Sequence, residues 1–169
     1  MKPLLFLDFD GVLNQFQAPF VLPAHLYEQT VAVAHPWRQV RVTLNREHPA
    51  MLSRLRESFD LVWGTAWQDN ANGFHLRRML GIEELPVVRF TQMPVEYIPQ
   101  GLHWKTERLL AWAKGRPFCW IDDEAQPADQ AYLDRAGATS LIVFTEPVQG
   151  LQERHVQAAE RFAASLAAA

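Results

Sequence analysis

Short apolar runs alternate with segments of helical periodicity along most of the chain, and this alternation restricts the fold more than any other feature. Several runs, such as the one from Leu4 to Leu7, are continuously apolar, which is typical of strands buried on both faces. Strands that alternate with helices in this way form a parallel sheet with helices on both of its faces. The sequence therefore predicts a three-layer α/β sandwich whose central parallel sheet has about five strands.

The predicted elements follow one another from the N-terminus to the alanine-rich tail. Strands are predicted over residues 4–7, 61–63, 87–88, 118–121 and 141–144, and helices over 48–58, 70–80, 106–113, 128–136 and 151–166. Gly81, Gly115 and Gly137 stand where three of these helices end, as C-terminal stops do. Residues 31–44 alternate between apolar and polar side chains around His35-Pro36, which indicates a hairpin. We expect this hairpin to form a flap over about residues 14–45, after the first strand.

The length and composition favour one soluble domain. A chain of 169 residues with no linker or repeat suits a single domain over residues 1–169. Its one cysteine, Cys119, excludes an internal disulfide framework and a four-cysteine zinc site. No apolar run approaches the ~18 residues that a membrane span requires. Asp8 and Asp10 interrupt the N-terminal run that would otherwise imitate a signal peptide. We therefore expect a cytoplasmic protein with no membrane partner.

Two acid pairs follow predicted strands. Asp8 and Asp10 come after the first strand, beside a glycine, Gly11, that permits a sharp turn, and Asp122-Asp123 ends the fourth. In parallel sheets, ligands bind outside the carboxyl ends of the strands, so these acids are expected at one edge. They either cap turns and helices or form a cluster of hard oxygen ligands, which suits Mg²⁺. No histidine pair has the spacing of a helical metal site, which argues against zinc.

A threonine and a lysine stand between the acid pairs. Thr65 ends the second strand and Lys105 precedes the third helix, and each alone is more often structural. The ordered set of acid pair, hydroxyl, lysine and acid pair nevertheless resembles the haloacid dehalogenase (HAD) superfamily, from Leu4 to about Phe144. The match is carried further by four shorter runs: the Leu-Asn pair after the first motif, Trp67 followed by Asn70-Ala71-Asn72, His103-Trp104-Lys105-Thr106, and residues 116–124. These runs are similar to a small bacterial group related to the HAD domain of Swiss Army Knife RNA repair proteins.

The resemblance implies an HAD-like (Rossmannoid) fold and a covalent phosphatase. Asp8 would attack phosphorus and form an aspartyl phosphate, and Asp10 would protonate the leaving oxygen and then activate water. Thr65 would donate to a phosphoryl oxygen, and Lys105 would neutralise charge on the nucleophile and the phosphoryl group. Four aspartates are implied for the Mg²⁺ site: Asp8 and Asp122 through carboxylates, Asp10 through its carbonyl, and Asp123 beside or behind them. The candidate substrate-binding residues are Gly11, Ala66, Trp67, Arg38 and Arg41.

The spacing also bears on the substrate. Only 54 residues separate Asp10 and Thr65, and the hairpin, a helix and a strand use most of them, so we expect a minimal cap or none and an open site. The substrate is then a phosphorylated small molecule or a polynucleotide end. Arg38 and Arg41 form either a solvated hairpin face or a phosphate-binding patch, and Trp37 either packs the hairpin or contacts a base. The net charge of −3 does not support nucleic acid.

Three functional readings stay open at the level of sequence. The same aspartyl phosphate could pass its phosphoryl group to water or to an alcohol, which would make the protein a phosphatase or a phosphotransferase. The third reading is a catalytically retired HAD fold that binds phosphate or a protein. The intact set of acids favours the phosphatase. Nothing in the sequence predicts an oligomeric state.

Overall fold

A computed structural model describes residues 1–16, 21–34, 37–90 and 101–168. The strands are β1 (Leu4–Leu7), β2 (Leu26–Ala34), β3 (Trp37–Asn45), β4 (Asp60–Trp63), β5 (Phe118–Asp122) and β6 (Ser140–Phe144). The helices are α1 (His48–Ser58), α2 (Phe74–Leu80), α3 (Thr106–Ala113), α4 (Pro127–Arg135) and α5 (Glu153–Ala167). A short 3-10 helix, Gln68–Asn72, precedes α2, and the two meet at Gly73, which divides the single helix predicted over 70–80.

The central sheet is parallel and has the strand order β4-β1-β5-β6. The predicted strand at residues 87–88 is reduced to an isolated parallel bridge between Val87 and Trp63, at the outer edge of β4. The neighbouring Pro86 accepts a hydrogen bond from Trp63 but has no N–H to donate, so the ladder does not extend. In the described part of the chain, the sheet thus has four strands and one bridged pair, where about five strands were expected.

The side chains of β1 divide the interior into two cores. Leu5 and Leu7 belong to a core shared with α1, α2 and α5, whereas Leu4 and Phe6 belong to a core shared with α3 and α4. Successive side chains of a strand point to opposite faces of the sheet, so a continuously apolar strand requires cover on both sides. The predicted three-layer, HAD-like sandwich is confirmed.

The predicted hairpin is β2–β3, and it is fastened beside the carboxyl end of β1. Val31, Val42 and Leu44 are buried in the first core. The edge of β3 is held by the segment after β1, where Asn14 Oδ1 accepts from the Thr43 N–H at 2.9 Å. The tip at residues 35–36 lies outside the described residues. The hairpin therefore stands next to the edge where the acids were predicted.

The described ranges contain no separate cap domain: the hairpin, α1 and β4 occupy the chain between Asp10 and Thr65. Among the helices of those same ranges, none combines the length and apolar character needed to span a membrane.

Candidate active site

Three of the predicted catalytic residues, Asp8, Thr65 and Lys105, meet the predicted metal ligand Asp122 at the carboxyl edge of the sheet. Asp8 follows β1, Thr65 follows β4, and Asp122 is the last residue of β5. Lys105 stands directly before α3 and brings its side chain to the same place. All four are buried, with at most 5% of each residue exposed. Buried polar groups of this kind need partners, and the four residues supply partners for one another.

The Lys105 ammonium joins the two acid pairs. Its Nζ lies 2.5 Å from Asp8 Oδ2 and 2.7 Å from Asp122 Oδ2. Burial opposes the charge on this lysine, but the two carboxylates raise the pKa of Lys105 above its usual value. The ammonium is therefore charged, and it stands against the oxygen of the predicted nucleophile.

Burial also acts on the carboxyl groups. It raises the pKa of Asp8 to about 7 against the attraction of Lys105, and the charge of Asp122 adds to the rise, while a hydrogen bond from the Thr65 hydroxyl lowers it. Burial, followed by the charge of Asp122, raises the pKa of the half-buried Asp123 to about 6. Two carboxyl groups whose charged forms are disfavoured mark a place where further positive charge is favourable.

The donor set fits a hard divalent cation. Carboxylate oxygens of Asp8, Asp122 and Asp123 lie within 4.8 Å of one another. Three carboxylates against the single charge of Lys105 leave a formal charge of −2, which a divalent cation would balance. Carboxylate oxygens suit Mg²⁺, which usually binds through one or two carboxylates and keeps several waters, so part of this cluster is enough to hold it.

The hydrogen bonds divide the roles within this cluster. Asp122 Oδ1 accepts from the N–H groups of Glu124 and Ala125, and Oδ2 accepts from Lys105 and, at 3.0 Å, from the indole of Trp120. A carboxylate has about four acceptor sites, so those of Asp122 are all used.

The Asp123 carboxylate is less committed, because among the described residues the hydrogen bond that it accepts comes from its own backbone N–H. The carboxylates of Asp8, Asp122 and Asp123 all lie close enough together to bind one cation, and Asp122 also holds Lys105. The resemblance implies Asp8 and Asp122 as carboxylate ligands, the Asp10 carbonyl as a further ligand and Asp123 beside or behind them, and these roles stay predictions.

Gly11 allows the two acid pairs to approach each other. Its φ of +67° lies in the left-handed region, and a Cβ at this position would come within 2.1 Å of Asp123 Cγ. Such a contact is far shorter than any tolerated between carbon atoms. A side chain at this position would therefore displace the Asp123 carboxylate.

We expect Gly11→Ala to weaken Mg²⁺ binding by about 10–100-fold, as the loss of a residue that orients a ligand does. Gly137→Ala is the matched control, because Gly137 has a φ of +74° but open space around its Cβ position. Both variants incur a backbone strain of about 1–2 kcal/mol. Calorimetric titration with Mg²⁺ and denaturant unfolding measure both effects. Equal Mg²⁺ affinity in the two variants would show that the Asp123 carboxylate is not a ligand.

Asp10 is held by two neutral donors. The Trp67 indole N–H donates to Asp10 Oδ2 at 2.7 Å, and Asn14 Nδ2 donates to Oδ1 at 2.7 Å. The Trp67 ring packs against Phe9 with 4.5 Å between ring centroids, and its backbone N–H donates to the Thr65 hydroxyl at 3.2 Å. Trp67 thus joins Thr65 to the carboxylate of Asp10, through its backbone N–H and its indole N–H.

The remaining predicted substrate-binding residues surround this centre. Arg38 and Arg41 line a cavity that also reaches Asp10 and Trp67. Ala66 is exposed directly after Thr65. The side chain of Trp37 lies outside the described residues, so its predicted alternatives stay open.

Three residues of this region were not predicted to take part in it. Asn14 was noticed only through the resemblance, and Trp120 only as part of the run over residues 116–124. Asp129 of α4 accepts hydrogen bonds from the His103 N–H at 2.8 Å and the Thr106 hydroxyl at 2.5 Å, which fixes the turn that carries Lys105. The position of Asp129 three residues after Gln126 signalled only a helix N-terminus.

A parallel sheet that carries an acid pair, a threonine, a lysine and a second acid pair at its carboxyl edge has the arrangement of the HAD superfamily, a class that consists largely of phosphatase-type hydrolases. The family model described as the HAD domain in Swiss Army Knife RNA repair proteins matches residues 4–156, and the chain belongs to this family. The resemblance noted in the sequence is confirmed. HAD domains typically use Mg²⁺, which the acidic cluster fits. No curated protein matches the chain.

Proposed function

We propose that this protein is a Mg²⁺-dependent phosphatase that hydrolyses a phosphate monoester through an aspartyl phosphate on Asp8. One observation carries the proposal: the buried carboxylate of Asp8 lies 2.5 Å from the Lys105 ammonium and within 4.8 Å of two further carboxylates. A carboxylate and a phosphate repel each other, so a phosphatase that uses an aspartate nucleophile needs concentrated positive charge at this place. The lysine and the cation-binding acids supply it.

In the first step, a carboxylate oxygen of Asp8 bonds to phosphorus while the bond to the leaving oxygen breaks. Asp10 gives its proton to that oxygen, and the alcohol departs. In the second step, Asp10 takes a proton from a water molecule, whose oxygen attacks phosphorus and releases Asp8 and inorganic phosphate. Acid–base assistance of this kind contributes typically ~10²–10⁴-fold to a rate.

The other residues position groups and balance charge, which carries most of the catalysis in phosphoryl transfer. Lys105 neutralises the nucleophile and the incoming phosphoryl oxygens. The Thr65 hydroxyl donates to a phosphoryl oxygen in this mechanism. When bound by the carboxylate cluster of Asp8, Asp122 and Asp123, Mg²⁺ would shield the negative charge that the two reactants bring together.

Trp67 is expected to matter most where the leaving group is poor. Trp67→Phe keeps a ring against Phe9 but removes the N–H that holds Asp10 Oδ2. Because Asp10 must reach the leaving oxygen only when that oxygen needs a proton, we expect kcat/KM to fall about 10-fold for an alkyl phosphate and less for p-nitrophenyl phosphate. Equal losses with both substrates would contradict a role through Asp10.

We propose nucleotides or nucleic-acid ends as the substrates. The family is described by its occurrence in RNA repair proteins, and the described residues leave the site without a cap domain that would enclose a small substrate. The net charge of −3 gives no general attraction to polynucleotides, so recognition would depend on local groups.

The test is phosphate release from a panel of p-nitrophenyl phosphate, nucleotides, and 3′- and 5′-phosphorylated oligonucleotides, with Mg²⁺ and with a chelator. Mg²⁺-dependent release supports the proposal. Transfer to an added alcohol in place of phosphate release would indicate the phosphotransferase. Mg²⁺ binding without any turnover would favour the retired binding module.

A further inference from the structure

A cavity of about 350 Å³ adjoins the predicted general acid. Asp10 and Trp67 form part of its wall, and Arg38 and Arg41 of β3 form another part. Its volume lies at the lower end of the ~300–1,000 Å³ typical of small-molecule pockets, so it suits one compact group. We propose that this cavity is a leaving-group subsite for an alcohol that carries a second phosphate. This inference rests on the proposed function, because the role of Asp10 defines which part of the substrate lies here.

The position of Asp10 assigns the cavity to the leaving group. Asp10 gives its proton to the leaving oxygen, so the rest of the alcohol extends from that oxygen. Asp10 lines the cavity, and its two hydrogen bonds from Trp67 and Asn14 fix the carboxylate there. The alcohol therefore enters this cavity, away from the carboxylates that cluster around Lys105.

The hairpin supplies the charge that selects the alcohol. Arg38 and Arg41 are exposed, and among the described residues Arg41 pairs with Glu28, at 3.7 Å between side chains that are 72% and 42% exposed. Such surface pairs contribute little, so the Arg41 guanidinium can turn to a ligand. Glu28 also lines the cavity, which leaves the hairpin side with a formal charge of +1. A guanidinium binds phosphate through two parallel hydrogen bonds, so a phosphate on the alcohol fits this side.

Two more residues of the cavity wall, Asn14 and Phe16, are held in place by hydrogen bonds. Asn14 links its two sides, since Nδ2 donates to Asp10 and Oδ1 accepts from the Thr43 N–H of the hairpin. Phe16 lines the cavity with 42% of its surface exposed, and its backbone N–H is held by the Pro147 carbonyl at 2.8 Å. An exposed ring beside two guanidinium groups offers a stacking face for a planar group between the two phosphates.

An alcohol with a second phosphate occurs in small bisphosphates and at a phosphorylated polynucleotide end, where the adjacent phosphodiester is the second group. The experiment compares kcat/KM for a nucleoside monophosphate, a nucleoside 3′,5′-bisphosphate and a terminally phosphorylated dinucleotide. We expect the wild type to prefer a substrate with a second phosphate, and Arg38→Gln and Arg41→Gln to reduce that preference about 10-fold, the cost of a lost charged hydrogen bond. Arg78→Gln, an exposed arginine of α2, carries the same charge change and should leave the preference unchanged.

A wild type with no preference for a second phosphate, or a preference that both hairpin variants retain, would overturn the subsite. The ratio of kcat/KM for the dinucleotide to kcat/KM for the bisphosphate shows whether the second phosphate belongs to a polynucleotide end or to a small bisphosphate. Calorimetric binding of the mono- and bisphosphate to Asp8→Asn tests the subsite without turnover. If no compound is hydrolysed, the proposed function fails. The subsite would still be supported if the bisphosphate binds more tightly than the monophosphate and Arg38→Gln abolishes that difference.

Discussion

Replacing Asp8 with asparagine is expected to abolish phosphate release while the protein stays folded. Asparagine keeps the shape of the side chain, but its amide cannot attack phosphorus to form an acyl phosphate. Loss of a nucleophile typically lowers kcat by a factor on the order of 10⁴ to 10⁶. Because burial disfavours the charged form of Asp8 and raises its pKa to about 7, loss of the acid should cost little stability. Steady-state phosphate release and denaturant unfolding measure the two effects.

Asp134→Asn is the matched control, since Asp134 is an exposed acid of α4. It should behave as the wild type in both measurements. Turnover by Asp8→Asn within 10-fold of the wild type would contradict a covalent mechanism through Asp8, because no mechanism that needs this nucleophile loses so little.

Lys105→Met is expected to be the most destabilising of the substitutions considered. Lys105 is 1% exposed and its ammonium bonds two buried carboxylates, so its removal leaves those charges facing each other. Breaking a buried ion pair from one side costs about 3–5 kcal/mol. We expect the free energy of unfolding to fall by that amount without metal, and Mg²⁺ to restore part of the loss by supplying charge to the same acids.

Two further variants make this result specific. Lys2→Met removes an exposed lysine that donates to the Arg56 carbonyl, and it should change the free energy of unfolding by less than ~1 kcal/mol. The double variant Asp8→Asn/Lys105→Met removes both charges and should be more stable than Lys105→Met alone. A double variant that is less stable than the single one would contradict the electrostatic explanation.

Much of the site's location could be predicted from the sequence because it depends on simple geometry. Parallel strands end at one edge of a sheet, so the acids after two buried strands had to approach each other, and Asp8 and Asp122 now share the Lys105 ammonium. The two buried faces of β1 followed from its continuous apolar run. The functional roles of these residues stay predictions.

Contacts that depend on tertiary packing could not be predicted in the same way. A tryptophan in a sequence usually indicates a core residue. Nothing in the sequence indicates that the indole N–H groups of Trp67 and Trp120 donate to Asp10 and Asp122. The short run at Val87-Val88 looks like a strand, but Pro86 limits it to one bridge. The four hydrogen bonds that the Asp122 carboxylate accepts also depend on tertiary packing, and only the structure shows them.

The most direct test of the central claim is to trap the phosphoenzyme. Asp10→Asn should still be phosphorylated by p-nitrophenyl phosphate in the presence of Mg²⁺, because this leaving group needs little protonation, but it should release phosphate slowly. After acid quenching, mass spectrometry is expected to find one phosphoryl group on Asp8, formed together with an equal amount of p-nitrophenol. Release of p-nitrophenol without a phosphoryl group on the protein, or a phosphoryl group on another residue, would contradict the account.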